Sequence, residues 1–75
     1  MRTDIENYVI NEVKRKRIKA GLSQSALATH LGVTTGFIGK IESTSSASKY
    51  NLNHIKILAQ VFRCSPKEFL PEYIN

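Results

Sequence analysis

The sequence predicts an all-α domain that folds as a compact bundle of five helices. Apolar residues recur at spacings of three and four, and no segment alternates apolar and polar residues as a half-buried strand would. Helix-capping residues precede each apolar run, and glycine or proline ends three of the runs. With 75 residues and 41% hydrophobic content, the chain has the composition of one folded domain.

The first helix is predicted to begin at a capping box, Thr3-Asp4-Ile5-Glu6. In this motif the threonine hydroxyl and the glutamate carboxylate bond the free backbone amides of the helix start. Ile5, Val9 and Val13 follow at intervals of four and form the inward stripe. Gly21 ends the helix.

A second helix is predicted over residues 24–31. Ser23 precedes it as the N-cap, because its hydroxyl accepts a bond from an amide of the first turn. Gly32 follows as the C-cap, where glycine adopts a left-handed backbone without steric cost. The inward stripe consists of Leu27, Ala28 and Leu31.

A third helix is predicted over residues 35–42, with Thr34 as its N-cap and with Ile38 and Ile41 facing inward. Residues 43–48 follow and consist of serine and threonine with one alanine. Their hydroxyls bond to the neighbouring backbone and thereby compete with helix formation. We therefore predict a loop here.

The fourth helix follows its cap Asn51 and carries the inward stripe Leu52, Ile55, Leu58, Ala59 and Phe62. Residues 65–68 form a second capping box, with proline at the first helical position, where its missing amide has no cost. Phe69 and Leu70 fill this short fifth helix, and Pro71 ends it.

We expect one domain over residues 1–75, with its core in residues 5–70 and a short tail in residues 71–75. The single cysteine excludes an internal disulfide, and together with the two histidines it offers no zinc-binding spacing. The charged N-terminal residues do not resemble a signal peptide, and no apolar run reaches the ~18 residues of a membrane helix. We therefore predict a cytoplasmic, nucleoid-associated protein without a metal, a cofactor or a membrane partner.

The distribution of charge favours a polyanionic partner. The net charge is +5, and residues 13–67 contain ten basic side chains against a single acid, Glu42. A basic region of this kind attracts nucleic acid by long-range electrostatics and counterion release. On charge alone, a merely solvated basic surface is the alternative.

Residues 24–43 have the pattern of two helices joined by a tight turn. Helices that cross steeply over a short turn approach closely at one point, which requires a small residue such as Ala28. The sequence here resembles the helix-turn-helix domains of the phage repressor and Cro-like (XRE-type) family. The resemblance extends over residues 13–70 and is carried by Gly21-Leu22-Ser23-Gln24, Leu27-Ala28, Leu31-Gly32-Val33, Ile38 and Ile41-Glu42.

The resemblance implies a lambda-repressor-like fold in which helices 2 and 3 form the motif and residues 35–42 enter the major groove. It also implies base contacts by Thr35, Gly36 and Lys40. With Ile38 and Ile41 buried, a helical wheel separately places Gly36, Lys40 and Ser43 on the exposed face. Lysine reaches the O6 and N7 acceptors of guanine, although Lys40 as a nonspecific phosphate contact is the alternative.

Two further features of the third helix leave two interpretations each. Phe37 lies between the buried and exposed faces, where it either contacts a thymine methyl group or shields the edge of the core. Gly36 and Gly39 each cost a helix about 1 kcal/mol relative to alanine. They either allow the backbone close to DNA or leave a weak helix that Ile38 and Ile41 hold in place.

The resemblance places Gln24 at a backbone phosphate, and the loop before Lys49 in the segment that runs beside the DNA backbone. Hydroxyl groups there suit phosphate contacts, which position the protein on the duplex without reading its base sequence. Our predicted phosphate contacts are Ser23, Gln24, Ser43, Thr44 and Lys49. The resemblance further implies an ion pair between Arg17 and Glu42 that fixes the helix angle, with Arg17 as a phosphate contact being the alternative.

These features predict a sequence-specific double-stranded DNA-binding protein, a transcriptional regulator of the repressor type. By resemblance it acts as a weak homodimer on a pseudo-palindromic operator. An enzyme is not expected: a phosphate-binding P-loop needs glycine at position 34 and serine or threonine at position 41, where Thr34 and Ile41 stand. The rival function is protein binding, as in an antitoxin or a bridging factor, through the apolar tail residues Leu70, Tyr73 and Ile74.

Overall fold

Four α-helices and one 3₁₀ helix form the computed structural model, which describes residues 1–73. The elements are α1 (Asp4–Lys19), α2 (Gln24–Leu31), α3 (Thr35–Glu42), α4 (Leu52–Phe62) and the 3₁₀ helix Pro66–Phe69. No strand occurs among these described residues, so the all-α prediction is confirmed. None of the helices in this part of the chain is long and apolar enough to cross a membrane. The predicted tail residues Ile74 and Asn75 lie outside the described residues.

The helix ends are fixed by the caps that the sequence predicts. Thr3 and Glu6 form the capping box of α1, with the Thr3 amide 2.9 Å from the Glu6 carboxylate. Ser23 and Thr34 accept amide hydrogen bonds in the first turns of α2 and α3 at 3.0 and 3.1 Å. Gly32 ends α2 with φ +69°, a left-handed conformation that a side chain would strain. The turn between α2 and α3 is therefore short and rigid.

The core lies where all four α-helices and the 3₁₀ helix meet, and α2 packs most extensively against α3. Its members come from the predicted stripes: Val13, Leu27, Ala28, Leu31, Ile38, Leu58, Ala59 and Phe69. Val9 is only half-buried at its edge. Burial of one apolar stripe per helix holds α3 rigidly against α2, which fixes the motif.

Two residues that were predicted to face the core are exposed. Ile5 lies in the first turn of α1, and Leu52 is the first residue of α4 with 87% of its surface accessible. Both line an open groove together with Leu70. No neighbouring element of the described chain covers the predicted stripes of α1 and α4 at the helix starts, so these two predictions were wrong.

The predicted fifth α-helix is a 3₁₀ helix of four residues. Ser65 accepts a bond from the Lys67 amide, while the Glu68 carboxylate pairs with Lys16 instead of completing a capping box. A residue before proline is driven towards extended backbone, and Leu70, which precedes Pro71, has φ −103° and ψ 149°. The helix therefore cannot extend past Phe69. The predicted second capping box was wrong, because Glu68 does not bond back to the Ser65 amide.

A capping role for His54 was missed. Its Nδ1 atom accepts a hydrogen bond from the Asn51 amide at 3.1 Å, while the Asn51 side chain accepts from the His54 amide at 2.8 Å. This is a capping box with histidine in the place that glutamate usually takes. His54 is half-buried rather than exposed, because it also packs against rings of neighbouring elements.

Candidate nucleic-acid interface

Of the residues that the helical wheel assigned to the outer face of α3, Gly36 and Lys40 are exposed, whereas Ser43 caps the end of the helix and is half-buried. Thr35, Gly36 and Lys40 are exposed, whereas Ile38 and Ile41 are fully buried. Lys40 takes part in no ion pair among residues 1–73, so its ammonium group is available to a ligand. The short turn and the buried stripe hold this polar face on the outside of the molecule.

Phe37 lies at the border of that face. Its ring is half-buried and tilted against the His54 ring, with the centroids 5.7 Å apart. His54 in turn meets Tyr50 edge to face at 6.0 Å. This stack fixes the Phe37 ring against α4 but leaves part of it accessible, so both of its interpretations stay predictions.

The two glycines of α3 are not required by packing within the described residues. A Cβ atom at Gly36 would lie 4.0 Å from the nearest atom, the Thr34 hydroxyl oxygen. At Gly39 it would lie 3.7 Å from the Gln24 side-chain oxygen, an ordinary contact distance. Neither glycine has a left-handed backbone. The helix could therefore hold alanine at both places.

Arg17 and Glu42 form a bidentate ion pair between α1 and the end of α3. Both carboxylate oxygens lie 2.8 Å from guanidinium nitrogens, and the side chains are 11% and 4% exposed respectively. A third guanidinium nitrogen donates to the Leu22 carbonyl at 2.8 Å. Arg17 thus connects α1, the turn before α2 and α3.

Electrostatics within this pair favour the charged forms. Burial would raise the pKa of the Glu42 carboxyl, but hydrogen bonds from Arg17 and Gln24 outweigh it and hold that pKa below its ordinary value. The same hydrogen bond from Arg17 to Glu42 raises the pKa of the guanidinium. The pair is therefore ionised at neutral pH.

The predicted phosphate contacts at the start of α2 are already engaged within the chain. The Gln24 amide nitrogen donates to Glu42 at 3.1 Å, which makes this half-buried side chain part of the ion-pair network. The Ser23 hydroxyl oxygen accepts the Ala26 amide as the N-cap. The hydroxyl hydrogen of Ser23 is left to donate, so its predicted phosphate contact remains compatible with the cap.

The loop after α3 holds the other predicted phosphate contacts. Thr44 is exposed, and the Ser43 and Ser45 hydroxyls are 2.9 Å apart. Lys49 lies beside Glu6, with its ammonium nitrogen 2.8 Å from a carboxylate oxygen. Lys49 would therefore approach a phosphate as part of an ion pair rather than as an isolated cation.

The basic middle of the sequence is partly neutralised in the fold. Tertiary contacts form the pairs Glu6–Lys49, Glu68–Lys16 and Glu42–Arg17, and Glu12–Arg15 forms locally within α1. Six of the ten basic residues remain outside these pairs: Lys14, Lys19, Lys40, Lys56, Arg63 and Lys67. The positive charge that is left is thus smaller than the sequence count indicates, and Lys40 contributes to it.

Sequence reasoning missed Arg2. Its guanidinium donates hydrogen bonds to four carbonyl oxygens at the end of α3 and in the loop, those of Lys40, Ile41, Ser43 and Ser48. These partners lie 38 to 46 residues away in the sequence, so no local pattern indicates them. The residues before α1 are therefore part of the structure around the candidate interface.

The ion pair between Glu6 and Lys49 gives a testable pH dependence. The hydrogen bond from Lys49, assisted by that from the Thr3 amide, lowers the pKa of Glu6 from 4.5 to about 2. Because the folded pKa lies below the unfolded one, the stabilisation is fully present above pH 4.5 and is lost as the pH falls towards 2. We expect NMR titration of the Glu6 side-chain carbon to show the low midpoint. Lys49→Met should raise it, and a midpoint near 4.5 in the unaltered protein would contradict the pair.

Comparison with solved structures supports the architecture. The chain is similar to the restriction-modification controller protein C.AhdI from Aeromonas hydrophila, with 25% identity and a TM-score of 0.69 over 84% of this chain and 92% of that one. It is also similar to the cobalt(II) form of HppE with substrate, with 21% identity and a TM-score of 0.77 over 95% of this chain. Hydroxypropylphosphonic acid epoxidase from S. wedmorenis matches at 21% identity and a TM-score of 0.74 over 89% of this chain.

The chain spans about two-fifths of the HppE chain, at 39%, and 35% of the epoxidase chain, and at such identity these likenesses show the fold alone. No curated protein matches the sequence significantly. The two helices joined by a tight turn, with a polar outer face on α3, have the arrangement of the helix-turn-helix class of domains. The chain belongs to the helix-turn-helix family, whose model matches residues 13–69.

Proposed function

We propose that the protein is a sequence-specific transcriptional regulator of the repressor type, which inserts α3 into the major groove of a pseudo-palindromic operator. The observation that carries this proposal is the division of α3 into two faces. Thr35, Gly36 and Lys40 are exposed, while Ile38 and Ile41 are fully buried and prevent the helix from turning. A helix held in this way presents a constant set of groups to base edges.

The proposed DNA contacts fall into two groups, those to base edges and those to phosphates. Base edges are read by Thr35, Gly36, Phe37 and Lys40, and phosphates are bound by Ser23, Gln24, Ser43, Thr44 and Lys49. The space around Gly36 and Gly39 supports a close approach of the α3 backbone to DNA, since no neighbour within the described residues requires a glycine there. The protein works by binding, without catalysis, in the nucleoid, and it assembles as a weak homodimer on the operator.

Protein binding is the second candidate function, because large apolar side chains are exposed at the start of α4 and after the 3₁₀ helix. Leu52 is 87% exposed, Leu70 45% and Tyr73 79%. Surfaces of this kind mark contacts with other chains when they are contiguous. An antitoxin or a bridging factor would use them to hold a protein partner instead of, or in addition to, DNA.

Selection of bound duplexes from a random DNA pool at near-physiological salt tests the first function. We expect enrichment of an inverted repeat. Lys40→Ala should relax the preference at one position of each half-site, at a cost of about 1–3 kcal/mol against the preferred base. The reason is that the lysine ammonium group of each subunit faces a base edge.

Lys56→Ala is the matched control. It removes the same charge from an exposed position of α4 that forms no ion pair among the described residues, and it should leave the selected motif unchanged. If both variants weakened all duplexes equally, Lys40 would be a phosphate contact. If no motif were enriched and binding only declined with salt, the DNA-reading proposal would fail and protein binding would be favoured.

A further inference from the structure

The Arg2 side chain connects the end of α3 to both ends of the following loop. Its Nη2 atom donates to the Ile41 carbonyl at 2.7 Å and to the Lys40 carbonyl at 3.1 Å. Its Nη1 atom donates to the Ser43 carbonyl and its Nε atom to the Ser48 carbonyl, each at 2.9 Å. One planar group thus binds four carbonyl oxygens.

The physical reason for this arrangement lies in the end of the helix. The last carbonyls of an α-helix lack intrahelical partners and carry the negative end of the helix dipole. A guanidinium group meets both needs, because it is always charged and directs its donors in a fixed fork. A lysine could not reach carbonyls on both sides at once.

Loop residues 43–48 have few other attachments among the described residues. Their remaining side-chain hydrogen bonds are local. They join the Ser43 and Ser45 hydroxyls at 2.9 Å, the Ser45 amide to the Ser43 hydroxyl at 3.3 Å and the Ser48 amide to the Ser46 hydroxyl at 3.1 Å. Beyond the loop, Lys49 is held by Glu6 of α1. The only side-chain hydrogen bonds that connect this loop to a distant part of the described chain therefore come from Arg2.

We propose that Arg2 is a positioning residue for DNA binding: it holds loop residues 43–48 and the end of α3 in the arrangement that contacts phosphate. Arg2 holds the Ser43 and Ser48 carbonyls at the two ends of the loop, and Thr44 and Ser45 between them are exposed. Arg2 acts through these groups and does not contact DNA itself. The inference rests on the proposed function, because the loop is assigned there to the phosphate backbone.

Amide hydrogen exchange of the protein without DNA provides the first test. In Arg2→Ala we expect the Ser45 and Ser48 amides to exchange at least about tenfold faster, since freeing one residue's backbone is worth roughly a factor of ten. The Leu27 amide in α2 should be unaffected. Arg2→Lys should rescue part of the protection, because an ammonium group can bind one or two of the carbonyls.

Binding to a short duplex of random sequence provides the second test, because phosphate contacts are independent of sequence. We expect Arg2→Ala to bind about tenfold more weakly than Lys56→Ala, the variant with the same loss of charge. The slope of log affinity against log salt should be the same in both variants. Arg2→Lys should lie between Arg2→Ala and the unaltered protein.

The outcomes separate the two proposals. If Arg2→Ala bound random duplex as tightly as Lys56→Ala does, Arg2 would not be a positioning residue. The same conclusion would follow if the slope of log affinity against log salt became about one unit shallower in Arg2→Ala while the loop amides exchanged at an unchanged rate. If the unaltered protein did not bind duplex DNA, the proposed function would fail. In that case the exchange data would still test Arg2. Unchanged exchange of the Ser45 and Ser48 amides in Arg2→Ala would show that Arg2 does not hold the loop.

Discussion

Arg17→Ala is expected to destabilise the protein by about 3–5 kcal/mol, because it leaves the Glu42 carboxylate buried without its partner. Glu42 is 4% exposed and would retain only the Gln24 amide as a hydrogen-bond donor. The Leu22 carbonyl would also lose its guanidinium donor. A chain of this length has a free energy of unfolding of about 4–11 kcal/mol, so the variant should be close to its folding limit at physiological temperature.

Urea unfolding followed by circular dichroism measures this effect. Arg15→Ala is the matched control, since Arg15 lies on the same helix and pairs with Glu12 at the surface, where Arg15 is 57% exposed. Exposed pairs three or four residues apart contribute only about 0.3–0.5 kcal/mol. Similar losses in both variants would show that Arg17 and Glu42 are not a buried pair.

The double variant Arg17→Met with Glu42→Leu distinguishes the loss of the ion pair from the cost of leaving the Glu42 charge buried without a partner. Apolar residues of similar volume leave no buried charge behind, so the double variant should be more stable than Arg17→Ala.

The pH dependence of stability gives an independent check of the ion pair. The folded pKa of Glu42 lies below its ordinary value of 4.5, so the contribution is present above pH 4.5 and is lost as the pH falls through the folded pKa. Glu42→Gln should remove that dependence.

The helices and the outer face of α3 were predictable from sequence because local rules decide them. Capping residues and glycine act on backbone groups within four positions, and the stripe of Ile38 and Ile41 determines which side of α3 is outside. The pairing of Arg17 with Glu42 came from the family resemblance and is present in the structure. Each of these features depends on neighbours in sequence or on a shared fold.

Contacts between distant segments were not predictable in this way. Arg2 reaches loop residues 43–48, and Glu6 pairs with Lys49 just beyond them, each across some forty residues. The Gln24 amide at the start of α2 donates a hydrogen bond to Glu42 at the end of α3, eighteen residues away. Periodicity carries no information on which charged side chain meets which carbonyl, so the count of basic residues overstated the available charge.

The exposure of Leu70 shows a different source of error. The sequence placed Phe69 and Leu70 together in a short helix, but only Phe69 is buried, while Leu70 is 45% exposed. The proline that follows Leu70 forces its backbone into an extended conformation, which separates the two side chains. A local rule, the restriction before proline, would have found this difference if it had been applied to Leu70.

Phe69→Ala is therefore expected to cost about 3–5 kcal/mol, whereas Leu70→Ala should change the stability by about 0.5 kcal/mol or less. The Phe69 ring is fully buried and contacts Phe62, with the ring centroids 6.3 Å apart, and the Lys16 ammonium lies 5.8 Å from its centroid. Removing it leaves a cavity where the 3₁₀ helix meets α1 and α4. Thermal and urea unfolding of the two variants side by side measures the difference. Equal effects would mean that the 3₁₀ helix does not close the core, and that α1, α2 and α4 alone hold α3 in place.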